Sequence, residues 1–367
     1  MKVFVLLSSH HDVVDWRRRY DEGLAPDAVP YGYHHAADAG CEVRFSRPTR
    51  IKGGLAGLAR RALNKLLGCD PIHAFNNRKQ MTTAECDVIW THTEREHLAI
   101  RLLQALGLLR PAPMISQSVW LMDNWPRFSA LRRRFYRNLL KRSEILTFHS
   151  PLNAEAARTY AFGPPVEIVP FGISLDSFPL TAPRDNGAGR PVRVYALGND
   201  IHRDWKTLAA ALGDRPNFEV KVASRTFRAD DIRSNITVKA QDQREILKSY
   251  AWADVVVVPL IANLHVSGCT VAFEAVASGV PLVVSDVGGL RYYFDDGEVA
   301  FVPPGDPERL RAAVLSMVGP EGLAKATAAQ KRLVDADYSS RGYALRHVEI
   351  SRRLIANRDR SPLAMSA

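Results

Sequence analysis

Residues His265 to Leu290 read HVSGCTVAFEAVASGVPLVVSDVGGL. One acid, Glu274, stands inside a small, apolar, helix-like run, and a second, Asp286, closes a β-branched run. Upstream, DVVVVPLI (254–261) has the continuous apolar content of a buried strand, and ANLHVSGCT (262–270) reads as the loop after it. Gly268 permits close backbone approach, and Thr270 suits the N-cap of a helix VAFEAVASG. Gly279-Val280-Pro281 stops that helix and starts the strand LVVSD. A helix N-terminus offers unpaired N–H groups and a positive dipole end, a setting suited to a diphosphate. Glu274, one turn further in, is placed for a ribose, whose two hydroxyls a carboxylate can accept. Gly288 and Gly289 free the next loop to approach the same ligand.

The strand–helix rhythm extends in both directions. KVFVLLSS reads as the first strand, followed by a loop with His10, His11 and Asp12. VPYGYHHAADAG reads as a helix ending at Gly40, then CEVRFS, CDVIWTHTE, APMISQSVW, SEILTFHS and VEIVPFGI as strands, with REHLAIRLLQALGLL and PLNAEAARTYA as helices. The segment LTAPRDNGAGRP is rich in Gly, Pro and polar residues and reads as a linker. Beyond it the alternation restarts with VRVYALG and runs to the helices at the C-terminus. This is the pattern of parallel sheets flanked by helices. The expected domains are 1–180, 190–343, and a last helix with a loose tail over 344–367. Ligands of such folds lie outside strand C-termini.

The chain has 367 residues, enough for two cores, with 46% hydrophobic and 24% charged residues. No apolar run is long enough to cross a bilayer. The N-terminal apolar run lacks a small-residue cleavage site before His10 and is read as a strand, not a signal peptide. Cys41, Cys69, Cys86 and Cys269 form no CxxC pair and read as reduced thiols, which points to a cytoplasmic protein. The net charge of +10 is uneven: residues 1–170 hold 24 basic and 16 acidic residues, the remainder 25 and 23. Nucleic acid, an anionic membrane and a phosphorylated substrate are all compatible with that bias.

The stretch FEAVASGVPLVVSDVGGLRYYFDDGEVAFVPPGDPERL resembles the nucleotide-sugar half of family 4-like GT-B glycosyltransferases, with likeness over about residues 190–345. ALGNDIHRDWKTLAAAL resembles the first strand–loop–helix of that domain. The resemblance implies two doubly wound Rossmann-like domains facing across a cleft, and a final helix crossing back to the N-terminal domain. It implies a donor site in which Glu274 binds ribose, the backbone at Gly268, Thr270 and Val271 touches phosphate, and Arg203 or Lys206 neutralises it. Gly288 and Gly289 complete the donor set. Retaining members carry two glutamates separated by seven residues; the position matching the first is Val266, between His265 and Ser267. That departs from the retaining pattern and leaves retaining and inverting transfer both open; an inverting transfer needs a base for the acceptor hydroxyl and stabilisation of the leaving nucleotide. No DxD motif calls for a metal, and the nucleotide sugar, most often a UDP-sugar in this family, is a co-substrate and not a cofactor. Arg291 and Tyr292 are placed for a charged sugar such as a uronic acid.

The base is expected in the N-terminal half, from Glu94, Asp123 or Asp12, with His10, His11 and His92 facing the acceptor. Between Arg44 and Arg142 stand 19 basic and 6 acidic residues. RIKGGLAGLARRALNKLLG places Ile51, Leu55, Leu58, Ala62 and Leu66 at helical spacing. RFSALRRRFYRNLLKR does the same for Phe128, Leu131, Phe135 and Leu139, among seven basic residues. Basic amphipathic helices suit an anionic membrane surface. Many bacterial relatives extend lipid-linked saccharides at the inner leaflet, so a peripheral enzyme of exopolysaccharide or envelope biosynthesis is expected. The competing readings are a nucleotide-sugar epimerase on the same scaffold, a catalytically dead GT-B protein, and a polyanion binder. No nucleic-acid-binding motif supports a nucleic-acid partner.

Overall fold

The structure is a computed structural model, and it describes residues 1–50, 53–184 and 189–359. Ile51, part of the linker and the tail after Ser361 lie outside the described residues. In chain order the elements are β1 (Lys2–Leu6), α1 (Val13–Asp21), β2 (Glu42–Phe45), α2 (Gly54–Leu67), α3 (Pro71–Asn76), β3 (Val88–Thr91), α4 (Glu94–Ala105), β4 (Met114–Ser118), α5 (Leu121–Asn124), α6 (Ala130–Leu140), β5 (Ile145–Phe148), α7 (Pro151–Thr159) and β6 (Val166–Ile168). There follow β7 (Val192–Leu197), α8 (Trp205–Leu212), β8 (Phe218–Ala223), β9 (Ile236–Val238), α9 (Gln243–Trp252), β10 (Val255–Val258), α10 (Cys269–Ala277), β11 (Leu282–Ser285), β12 (Ala300–Val302), α11 (Pro307–Ser316), α12 (Pro320–Asp335) and α13 (Ser340–Asp359).

Two compact units result. The first holds residues 1–18, 28–170 and 341–367, the second 19–27 and 171–340. The division falls at Phe171, ahead of the linker-like segment. The reason is pairing: Phe171 N–H donates to Tyr293 Oη at 3.1 Å, and Ile173 exchanges backbone hydrogen bonds with Tyr338 and Ser340.

Each unit contains one six-stranded parallel sheet. The orders are β2-β1-β3-β4-β5-β6 and β12-β11-β10-β7-β8-β9, the second being the order of a doubly wound dinucleotide-type fold. In the second unit both sheet faces are covered. Tyr195, Val256 and Val258 pack on α10 on one face, and Val194, Ala196, Val255 and Val257 on α8 and α11 on the other. That two-sided burial is why DVVVV is continuously apolar and does not alternate. In the first unit α13 docks by Trp90 Nε1 donating to Ser351 Oγ (2.8 Å) and by the Tyr33 and Tyr343 hydroxyls at 3.1 Å.

Two local expectations change, and the exposure of α2 is resolved. Residues 30–39 form a 3₁₀ helix with a kink, Tyr31 and Gly32 having φ of 64° and 68°, where a continuous helix was expected. The segment after Asp12 is helical: Asp12 Oδ1 accepts from Val14 N at 3.0 Å and caps α1, which buries no residue and so leaves no apolar signature. The leucines of α2 face outward, Leu55 being 85%, Leu58 56% and Leu66 70% exposed, while the helix buries Gly57 and Arg60. Leu131 on α6 is likewise 79% exposed, although Leu139 is buried. Among the described residues no helix is long and apolar enough to cross a membrane.

Candidate active site

In each sheet the strand order reverses direction at one point, between β1 and β3 in the first unit and between β7 and β10 in the second. Loops leaving the strand ends on either side of such a point diverge and open a crevice.

At the second unit's switch point the β7–α8 and β10–α10 loops are tied together. Asp204 N donates to Pro259 O, and Ile261 N to His202 O, both at 2.9 Å. Asp200 adds a side-chain tie. Its Oδ1 accepts from His202 N (2.9 Å) and lies 3.0 Å from His202 Nδ1; its Oδ2 lies 2.8 Å from His265 Nε2 and accepts from Ser267 Oγ at 2.9 Å. Burial alone would push this carboxyl up, but His265 and His202 hold it well below the usual carboxylate range. His265 and Ser267 are thus the side chains that grip a carboxylate beside Val266. Asp200, His202 and His265 also present ligand-type atoms within 4.8 Å of one another, a grouping among the described residues that could hold a divalent ion.

Between these loops lies Arg203, 9% exposed, with Nε and Nη1 buried and without a hydrogen-bond partner. Burial lowers its pKa to about 10, opposed by Asp200, Tyr250 and Glu274. Two glycines make room for the guanidinium. A Cβ at Gly198 would lie 2.1 Å from Nε, and one at Gly268 would lie 2.7 Å from Nη1. Gly268, with φ of 84°, is also the N-cap of α10, and no side chain caps that helix. Thr270, expected as the cap, lies one residue inside the helix and is exposed, while Val271 is buried. The orphan N–H groups and the orphan guanidinium therefore share one rim. Glu274 is 7% exposed and accepts from Tyr250 Oη at 2.8 Å. Burial raises its pKa to about 7, with Tyr250 and Arg203 pulling the other way. Gly288, at φ 69°, fits against Asn263, whose Oδ1 a Cβ there would approach to 2.6 Å; Gly289 has an ordinary negative φ. Of the two basic candidates, Arg203 is in this site, and Lys206 is exposed on α8. Arg291 is engaged by Asp286 and Asp296, which leaves it committed to the protein.

At the first unit's switch point lies a cavity of about 810 Å³. His10, His11, Asp12, His92, Glu96 and Trp120 are among its lining residues. His92 stacks on Tyr31 with ring centroids 3.3 Å apart and 11° between planes, and its Nδ1 lies 3.1 Å from Tyr33 Oη. Burial, with His149 and His347 nearby, keeps His92 neutral. His11, 3.0 Å from Ser8 Oγ through Nδ1, is lowered by burial to about 4. Of the three carboxylates expected here, Asp12 lines the cavity. Glu94 turns away: its Oε2 accepts from Val119 N (3.1 Å) and Trp120 N (3.3 Å). Asp123 is half-buried on α5, outside the lining. Glu96 and Tyr31, not anticipated from sequence, line it. Only the ThrxxGlu capping signature at Thr93 pointed to Glu96, and it reads as structural.

Residues 196–319 match the family described as glycosyl transferases group 1. No curated protein matches the sequence. Among solved structures, sucrose-phosphate synthase from Thermosynechococcus elongatus is similar over 97% of this chain and 100% of its own, at 18% identity and TM-score 0.71. HepE from Anabaena, in complex with UDP and glucose, is similar over 95% and 98%, at 14% identity and TM-score 0.61. A UDP-forming alpha,alpha-trehalose-phosphate synthase from Burkholderia xenovorans is similar over 96% and 99%, at 11% identity and TM-score 0.63.

Proposed function

Because this chain carries a group 1 glycosyltransferase domain on the GT-B fold, we propose that it transfers a sugar from a UDP-sugar to a lipid-linked or growing saccharide. The observation that carries the reading is Arg203: a buried guanidinium with two orphan nitrogens, walled by Gly198 and Gly268 at the uncapped N-terminus of α10. Such a group is costly until an anion meets it, and a diphosphate meets it and the helix N–H groups together. Charge grows on that diphosphate as the sugar leaves, so the same contacts favour the transition state. Glu274, one turn along α10, receives the ribose. Uridine is supported by the UDP named for HepE and the trehalose-phosphate synthase.

The acceptor occupies the first unit's cavity, whose size suits one or two sugar rings and whose exposed Trp120 offers an apolar face for stacking. The outward leucines of α2 and α6, set among arginines and lysines, support work at an anionic membrane surface on the cytoplasmic side. Such a location fits exopolysaccharide or envelope polysaccharide synthesis. Val266, where a second acid is missing, favours inversion, and it equally keeps a catalytically inactive donor-binding protein as the second reading.

The test is thermal stabilisation against a panel of nucleotides and nucleotide sugars, with Glu274→Ala as control. Stabilisation by a uridine diphosphate compound, lost in the variant, is expected. No stabilisation by any of them removes the donor site, and binding without turnover on any saccharide leaves the inactive scaffold.

A further inference from the structure

In the second unit, the β7–α8 and β10–α10 loops bury histidines where they expose isoleucines. His202 and His265 are buried, whereas Ile201 is 73% exposed and Ile261 is exposed as well. Hydrophobicity alone favours the opposite arrangement. The inward residues converge on one carboxylate. Asp200 Oδ1 lies 3.0 Å from His202 Nδ1, and Oδ2 lies 2.8 Å from His265 Nε2. The two rings stand edge to face with centroids 4.9 Å apart. Asp200 and His265 are 65 residues apart in the chain, so the group draws on both loops. Diphosphate and ribose are met by Arg203, the start of α10 and Glu274, and donor binding makes no use of it.

The ligand atoms select the ion. Two imidazole nitrogens with one carboxylate suit Zn²⁺ and related first-row ions, whereas Mg²⁺ and Ca²⁺ prefer oxygen alone. One ion can reach all three groups. Ligand atoms at about 2.1 Å from one zinc are at most about 4.2 Å apart. Those of Asp200, His202 and His265 lie within 4.8 Å of one another, so the widest pair closes by no more than about 0.6 Å. An outer shell is in place. His202 N donates to Asp200 Oδ1 and Ser267 Oγ to Oδ2, both at 2.9 Å. Ser267 is held in turn by its N–H on His265 O at 2.9 Å. Bonds of this kind fix the orientation of metal ligands.

We propose that Asp200, His202 and His265 form a Zn²⁺ site that clasps the β7–α8 loop to the β10–α10 loop. The ion takes the place of the protons that lie between the rings and the carboxylate, and these pass to the far ring nitrogens or to solvent. Three protein ligands leave a fourth position for water. Arg203, next in the chain after His202, repels a cation, so the affinity falls in the micromolar range and not at the level of a closed structural site. The ion holds the loops and has no role in the sugar transfer.

The test uses the full chain, stripped of metal with a chelator and desalted. Co²⁺ is the probe, because its visible bands report coordination, and Zn²⁺ is then added to displace it. The wild type should take up one equivalent of Co²⁺, with bands of a four- or five-coordinate nitrogen and oxygen site that Zn²⁺ abolishes. Zn²⁺ should also raise Tm and slow amide exchange over residues 199–204 and 261–267, and Mg²⁺ should do neither. His265→Gln and Asp200→Asn, which keep much of the size and hydrogen-bonding capacity, should each weaken Co²⁺ binding at least about tenfold. A wild type that binds Co²⁺ more weakly than about 0.1 mM overturns the proposal. Folded variants that keep the full uptake assign the ion to other histidines of the chain and overturn it as well. Should both variants fail to fold, amide exchange of the wild type decides: no protection by Zn²⁺ in either loop refutes the clasp, and protection in both upholds it.

Discussion

Replacing Arg203 with methionine should strengthen the unliganded fold and abolish donor binding. Methionine keeps most of the length of the side chain and removes the charge. In the native protein the guanidinium is 9% exposed and two of its nitrogens lack partners. A fall in pKa from 12.5 to about 10 corresponds to roughly 3 kcal/mol against the charged form. The sign is set by linkage: a base with a lowered folded pKa opposes folding at every pH below that pKa, so the cost is fully present at pH 7. That fall is already net of the pull of Asp200, Tyr250 and Glu274 on the charge. The gain on substitution should therefore be up to roughly 3 kcal/mol, at roughly 2–4 °C in Tm for each kcal/mol in a unit of this size. Binding moves the other way. Two charge-assisted hydrogen bonds to phosphate, at about 1.5–3 kcal/mol each, predict a loss of at least about 100-fold in affinity for UDP. Calorimetric titration with UDP and a melting curve without it measure both quantities. A variant that is destabilised by more than about 2 kcal/mol and binds UDP as before would falsify the reasoning, since Arg203 would then be a structural ion.

Three further outcomes are expected. Glu274 has its folded pKa raised from 4.5 to about 7, so its ionisation weakens the fold as pH climbs through that window, by up to roughly 3 kcal/mol; Glu274→Gln should be the more stable protein at pH 8 and equal to the wild type at pH 4, and equal pH dependence in chemical denaturation would contradict the burial argument. Gly172→Ala puts a Cβ 2.1 Å from the Ser339 carbonyl oxygen and should cost about 1–3 kcal/mol with no change in UDP affinity, while an unchanged Tm would show that the 172–173 strand-like pairing yields easily. Leu55→Glu together with Leu131→Glu should lower binding to vesicles containing anionic lipid at least about tenfold without altering UDP affinity; undiminished flotation with the vesicles would assign the exposed leucines to another role.

The candidate sites were legible to different depths. The strand ends and the α10 helix were readable because DVVVV and LVVS bury both faces and announce themselves by composition. Gly268 and Glu274 were readable as candidates because both sit near the start of one local helix. The choice between Arg203 and Lys206 was not, for only packing buries the first between Gly198 and Gly268 and leaves the second exposed on α8. Asp200 was passed over because its partner His265 lies 65 residues away. Glu96 was hidden by its own capping motif, and α1 by the lack of any buried face. The α2 leucines were legible as one apolar face, but helical spacing alone says nothing of what that face meets.

The sequence alone determined the alternation of strands and helices, the parallel sheets that alternation requires, and the presence of an anion-suited helix start just before VAFEAVA, though not its cap residue. Those are local properties: backbone freedom, periodicity and capping act over a few residues. Only the tertiary structure decided which charges are buried, which carboxylates face a cavity and which are consumed as caps, and which loops meet. Desolvation and loop proximity at a sheet's switch point are products of packing between distant segments, and they set the basicity of Glu274, the cost of Arg203 and the grip on Asp200.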